Sequence, residues 1–204
     1  MFQLNQQNHF PEAENFFSEY QKDPENIRRL ENIEKKQIST GPMSPECKVV
    51  FNIPVSSSEK HLGSTLNKYL NQTALNKKIK YEIIVLINGP DNKGIPNLEE
   101  TKAYQDAVNF KASLETKQRF DSEYDTNYKN INITISTTYY SAAKQRIGNI
   151  RRDLAAMTID RAEKANHPDW QNMVLITHDA DLVDIRKDYV ENIVAAFDSN
   201  PQLS

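Results

Sequence analysis

Four short apolar runs, each followed by a stretch of helical periodicity, leave this chain few folds to choose from. The runs are Val49-Val50-Phe51-Asn52-Ile53, Tyr81-Glu82-Ile83-Ile84-Val85-Leu86-Ile87, Ile131-Asn132-Ile133-Thr134-Ile135 and Met173-Val174-Leu175-Ile176-Thr177. The second is nearly continuous, the pattern of a strand covered on both faces. The third alternates strictly, so one of its faces is more polar. The fourth reads as a buried strand. Between them, Ser56-x-x-Glu59 reads as a capping box ahead of Leu62, Leu66, Tyr69 and Leu70 on one helix face. Ala103, Ala107, Phe110 and Leu114 predict a helix over 99–119. Ile147, Ile150, Leu154 and Met157 mark a long helix, and Tyr189, Ile193 and Phe197 another. Pro54 is expected to stop the first strand, and the turn cluster Asn88-Gly89-Pro90-Asp91-Asn92 the second. Strand alternating with helix predicts an α/β fold: a mostly parallel sheet, right-handed crossovers and helices on both faces.

Residues 1–45 have a different character. They are rich in Asn, Gln, Glu and Lys and poor in β-branched apolar residues. Pro11-Glu12 followed by Phe16, Phe17 and Tyr20 suggests a short amphipathic helix. Asp23-Pro24 opens a second, with Ile27, Leu30 and Ile33 on one face. Ser39-Thr40-Gly41-Pro42 and Pro45 read as a linker. The division is therefore a helical N-terminal arm over 1–45 and an α/β domain over 46–204. The arm either packs on the domain or contacts a partner.

Composition narrows the function classes. The net charge of −3 over 204 residues gives no basic footprint for nucleic acid. The single cysteine, Cys47, rules out an internal disulfide framework and a cysteine-based zinc cluster, and it fits a reducing, cytoplasmic setting. No run approaches the about 18 apolar residues of a membrane helix.

The chemistry concentrates after the fourth run, where Thr177-His178 leads into Asp179-Ala180-Asp181. Ligands of open α/β sheets bind just beyond the carboxyl ends of the strands. Two carboxylates there repel each other unless a cation sits between them. A divalent metal bridging nucleotide phosphates is the natural candidate, since such cations often keep only one or two protein carboxylates. The plainer alternative is a pair of loop acids capping the next helix. His178 is a candidate metal ligand, although a Mg²⁺ site prefers oxygen, which favours a structural role. Arg151 and Arg152 near a helix start are either a solvated face or part of an anion site. Lys144 and Arg146 have a surface role by default.

Taken in order, Asn52-Ile53-Pro54, Ile84-Val85-Leu86-Ile87-Asn88-Gly89-Pro90-Asp91, Gly148-Asn149-Ile150-Arg151-Arg152 and Ile176-Thr177-His178-Asp179-Ala180-Asp181 resemble the nucleotide-sugar-binding half of the family 2 type glycosyltransferases, which have the GT-A fold. The resemblance covers about residues 48–200. It implies transfer of a hexosyl group from a nucleoside diphosphate sugar to an acceptor that is a glycan, a lipid or a protein. It makes Asp179-Ala180-Asp181 the D-x-D motif: Asp181 would ligate Mg²⁺ or Mn²⁺ on the donor diphosphate, and Asp179 would contact the ribose or sugar side and the same metal. Pro54 and Val55 would form a wall for the base. Asn88 stands where the family usually has an Asp that bonds the base. Arg151 and Arg152 match the G-x-A-R-N region and would pair with the diphosphate, although Arg152 replaces the family's Asn.

In that family the chain continues beyond the D-x-D helix and supplies the acceptor site and a general base. Here the sequence ends at Ser204, and no residue matches the base. The expectation is a truncated enzyme, or a donor-binding module without catalysis whose open sheet edge favours self-association. Asp179-Ala180-Asp181-Leu182-Val183 also fits the D-x-D-x-[TV] motif of haloacid-dehalogenase-type phosphatases, a further rival.

Overall fold

The structure, a computed structural model, describes residues 11–91, 97–120 and 127–200, with side chains from residue 15 onward. Residues 1–10 of the expected arm, Asn92 of the expected turn cluster and Pro201 lie outside the described residues.

Five strands form one sheet. They are β1 (Ile38–Ser39), β2 (Cys47–Ser56), β3 (Lys80–Pro90), β4 (Ile131–Tyr140) and β5 (Val174–Thr177). The spatial order is β1-β4-β3-β2-β5, and only the β1–β4 pair is antiparallel. The chain therefore steps outward from β2 through β3 to β4, then returns to the far side of β2 for β5. Among the described residues six α-helices flank the sheet: α1 (Pro11–Gln21), α2 (Pro24–Lys35), α3 (Leu62–Tyr69), α4 (Lys102–Arg119), α5 (Ile147–Lys164) and α6 (Tyr189–Ser199). The fold is α/β, mostly parallel and covered on both faces.

The period of two along each strand decides which residues meet which helices. Odd positions such as Phe51, Ile53, Ile83, Val85 and Ile133 face α3, α4 and α6 in an apolar cluster. Val50, Ile84 and Leu86 face α1, α2 and α5 in a second cluster. Leu62, Leu66 and Tyr69 of α3 and Ala103, Ala107, Phe110 and Leu114 of α4 are buried, as their spacing implies. Each fully buried Leu, Ile or Phe stabilises the fold by about 1.5–3 kcal/mol. The two N-terminal helices pack against α5 and β4 and bury Phe17, Tyr20, Leu30 and Ile33.

Several local expectations change. Pro54 does not end β2, which runs on to Ser56. Asn52 turns its carbonyl toward His178 N (3.0 Å), so Pro54, two residues on, faces the same side, where β5 has already ended at Thr177. A proline without an N–H is tolerated there because no strand asks for the donor. Asn88-Gly89-Pro90 lies within β3 and pairs with Thr138, Tyr139 and Tyr140. The expected capping box is not formed: Ser56 belongs to β2 and α3 begins at Leu62, while Glu59 Oε1 accepts from the Lys60 and His61 backbone N–H groups. Ile38–Ser39, at the edge of the expected linker, pairs with β4 as β1. β5 is not a buried strand. It is an outer strand, with Leu175 39% exposed. Among the described residues no helix is long and apolar enough to cross a membrane.

Candidate functional site

The carboxyl ends of β3, β2 and β5 are neighbours, so the polar residues that follow them share one rim. The order in which the chain lays down its strands reverses between β2 and β5, which is where doubly wound sheets bind ligands.

At this rim the chain leaving β5 is pinned by alternate residues. His178 turns inward: its Nδ1 lies 2.5 Å from the Tyr69 hydroxyl and its Nε2 2.8 Å from the Tyr189 hydroxyl. Its ring sits 5.2 Å from that of Phe51. Burial holds its pKa below the usual imidazole value, against the opposing pull of Asp179. A neutral imidazole donates through one nitrogen and accepts through the other, and here the two tyrosines take both roles. His178 therefore has no free lone pair for a metal. Ala180 is also buried. Asp179 and Asp181, the residues between and after, are pushed outward and are exposed. The turn that follows is tied to α3, because Lys68 Nζ and Thr65 Oγ1 donate to the Leu182 carbonyl.

Arg151 reaches the same place from α5. Its Nη2 lies 3.7 Å from Asp179 Oδ1, with both side chains half exposed or more. So long and wet a pair contributes little to stability, and both partners stay available to a ligand. Because α5 follows β4, its N-terminus opens on the rim, where the helix dipole favours anions. Arg152, the next residue, turns the other way. It stacks 5.7 Å over the Tyr20 ring and donates to Asn26 Oδ1 at 3.1 Å. It joins α1 and α2 to α5 and is not brought to Asp179.

Pro54 and Val55 form the last rungs of β2 opposite Leu86 and Ile87, and both are buried. Their backbone forms part of the rim, but the Val55 side chain is in the core beneath α3 and α4. Asn88 is 5% exposed, and its Nδ2 donates to the Val55 carbonyl at 2.7 Å. Its own carbonyl accepts from Ser57 N at 2.8 Å. One of the two Asn88 amide hydrogens thus holds β2 to β3. The Ser56 and Ser58 hydroxyls, 2.9 Å apart, are exposed at this end and lie outside the residues that carry the family resemblance. The run Ser56-Ser57-Ser58 directly after a strand was the signal. Lys144 pairs with Glu25 of α2, and Arg146 is exposed.

Among the described residues no three His, Cys, Asp or Glu side chains are close enough to hold a metal by themselves. The donor set at the rim is two exposed carboxylates, neither held in a short ion pair among the described residues. That set suits a hard cation completing its shell with ligand oxygens and water; it does not suit a closed protein cage. No family model matches the chain, and neither a curated protein nor a solved structure matches it.

Proposed function

We propose that the chain binds a nucleoside diphosphate sugar at the rim between β2 and β5, as the donor-binding part of a glycosyltransferase that passes a hexosyl group to an acceptor. The observation that carries this reading is the meeting of Asp179 and Arg151. They come from separate elements and sit together where the strand order reverses. Asp181 and Asp179 would hold Mg²⁺ or Mn²⁺ through one oxygen or more each. Bound there, the metal would offset charge developing on the departing diphosphate. Arg151 presents a guanidinium fork to phosphate oxygens. The β2 backbone at Pro54-Val55 bounds the nucleoside side.

A second reading, donor binding without transfer, is favoured by one observation. Among the described residues no third acid, His or Cys groups with Asp179 and Asp181 closely enough to share a metal, so what the pair offers is a cation site for a bound diphosphate. The phosphatase reading draws less support, since the acid pair follows an outer strand and both carboxylates are exposed.

The test is a thermal-shift panel of uridine and guanosine diphosphates with and without Mn²⁺. Wild type should rise in melting temperature only when nucleotide and metal are both present. Asp181→Ala should lose that rise, Arg151→Ala should reduce it, and Arg152→Ala should leave it intact. A metal-dependent shift that survives Asp181→Ala refutes the site. With the corresponding nucleoside diphosphate sugars, release of free sugar or its transfer then separates the two readings, and turnover of a generic phosphate ester lost in Asp179→Asn would favour the phosphatase.

A further inference from the structure

Away from the β2–β5 rim, a cavity of about 630 Å³ lies between α2 and the last residues of β4. That volume is within the range of small-molecule sites. Its charge is lopsided: Arg28, Arg29, Lys35, Lys36 and Lys144 line it against Glu25 and Asp91. Two of the cations are already neutralised. Lys144 pairs with Glu25, and Arg29 Nε donates to Asp153 Oδ2 at 2.7 Å. Arg28 and Lys35 have no ionic partner among the described residues, and Lys36 Nζ sits 5.4 Å over the Tyr139 ring. Three cations are thus left facing a single acid, Asp91.

Neutral donors lie beside them. β1 pairs with β4 only at Ile135 and Thr134. Ile133 turns its carbonyl to Thr40 N (3.0 Å) and its N–H to Thr40 Oγ1 (3.1 Å). By the period of two, Thr137 and Tyr139 turn their N–H groups to the same edge, beyond the end of β1. Tyr140 faces oppositely, its carbonyl accepting from Asp91 N at 2.7 Å. Thr137 also lines the cavity, at the strand edge where its N–H points.

We infer that this cavity is an anion site for a phosphate-bearing small molecule, held by Arg28, Lys35 and Lys36 together with the backbone N–H groups of Thr137 and Tyr139. Three unpaired cations and several N–H donors suit a group with many oxygens and more than one charge. The open edge between the end of β1 and Ser141 offers only two outward-facing residues, too short to accept a peptide strand of ordinary length. The inference does not rest on the donor reading, because the two sites share no residue.

The experiment is calorimetric titration of the full chain with inorganic pyrophosphate in the presence of a metal chelator. Saturable binding is expected, weakening as salt is raised. Arg28→Ala combined with Lys35→Ala should weaken it about tenfold or more. Both residues are exposed on α2, and an unchanged melting temperature checks that the variant folds. Asp181→Ala should have no effect. Three results overturn the proposal: no binding heat, binding unaltered in the double variant, or binding lost in Asp181→Ala, which would put the anion at the other rim. The donor reading needs metal and Asp181, so either proposal can fail alone.

Discussion

The two faces of the sheet are built by different means. The face under α3, α4 and α6 is almost wholly apolar, with Val49, Phe51, Ile53, Ile83 and Val85 fully buried against Leu62, Leu66 and Leu114. The face under α1, α2 and α5 buries charge. Asp153 is 0% exposed and accepts from the Tyr20 hydroxyl (2.9 Å), the Tyr140 hydroxyl (2.7 Å) and Arg29 (2.7 Å). Burial, reinforced by this carboxylate, holds both tyrosine pKa values well above the ordinary phenol. Glu82, also 0% exposed, accepts from Arg161 (2.8 Å) and Thr134 (2.7 Å). Its pKa is raised because desolvation outweighs the pull of Arg161. An apolar face is held by area, which tolerates exchange of one hydrophobe for another. A face of buried polar groups is held by matched partners, and it fails when a single partner is removed.

Asp153→Ala should therefore show the largest effect. It strands Arg29 and two buried hydroxyls, and a loss of about 3–5 kcal/mol is expected in urea denaturation. A loss below about 1 kcal/mol would mean that the N-terminal helices hold without the network. Leu66→Ala is the counterpart on the other face, at about 2–5 kcal/mol. There Leu66→Met should recover most of the loss, whereas Asp153→Asn should recover only part. Full recovery by Asn would erase the contrast.

The Glu82–Arg161 pair sharpens the distinction. Arg161→Met alone leaves a buried carboxylate uncompensated and should be strongly destabilising. Glu82→Leu with Arg161→Met should return to within about 1–2 kcal/mol of wild type, since apolar replacements of a buried pair are often neutral. A double variant as unstable as the single one would show that the pair does more than satisfy itself.

The smallest effect is at His178, where one polar group is set into the apolar face. Its folded pKa lies below the unfolded value near 6.5, so the unfolded chain takes up the proton first as pH falls. The stability that wild type gains from neutral His178 is present above that value and is lost on acidification. The stability difference between wild type and His178→Gln should therefore shrink from pH 7 to pH 5. A constant difference would remove His178 as the titrating group.

Much of the fold was legible because helical and strand periods are local properties. Ala103, Ala107, Phe110 and Leu114 announced α4, and the Tyr81–Ile87 run announced a strand covered on both sides. Element ends were less legible. Pro54 and the Asn88-Gly89-Pro90 cluster carry turn chemistry, but both lie within paired strands, where the nitrogen of each proline faces the side on which the neighbouring strand has already ended. Of the site, the outward projection of Asp179 and Asp181 agrees with their position after a strand. Asn88 looked like a ligand contact and is instead a clamp on Val55. Arg151 and Arg152 are adjacent and chemically alike, and no sequence pattern separates the one that meets Asp179 from the one that meets Tyr20.

By itself the sequence determined the alternation of strands and helices and which side of each element turns inward, since both follow from residue spacing within a dozen positions. Only the tertiary structure decided that β5 crosses back past β2 to bring Asp179 beside Arg151. It alone set α2 against the end of β4 so that its cations enclose a cavity. Those placements come from packing between segments far apart in the chain, which no local period encodes.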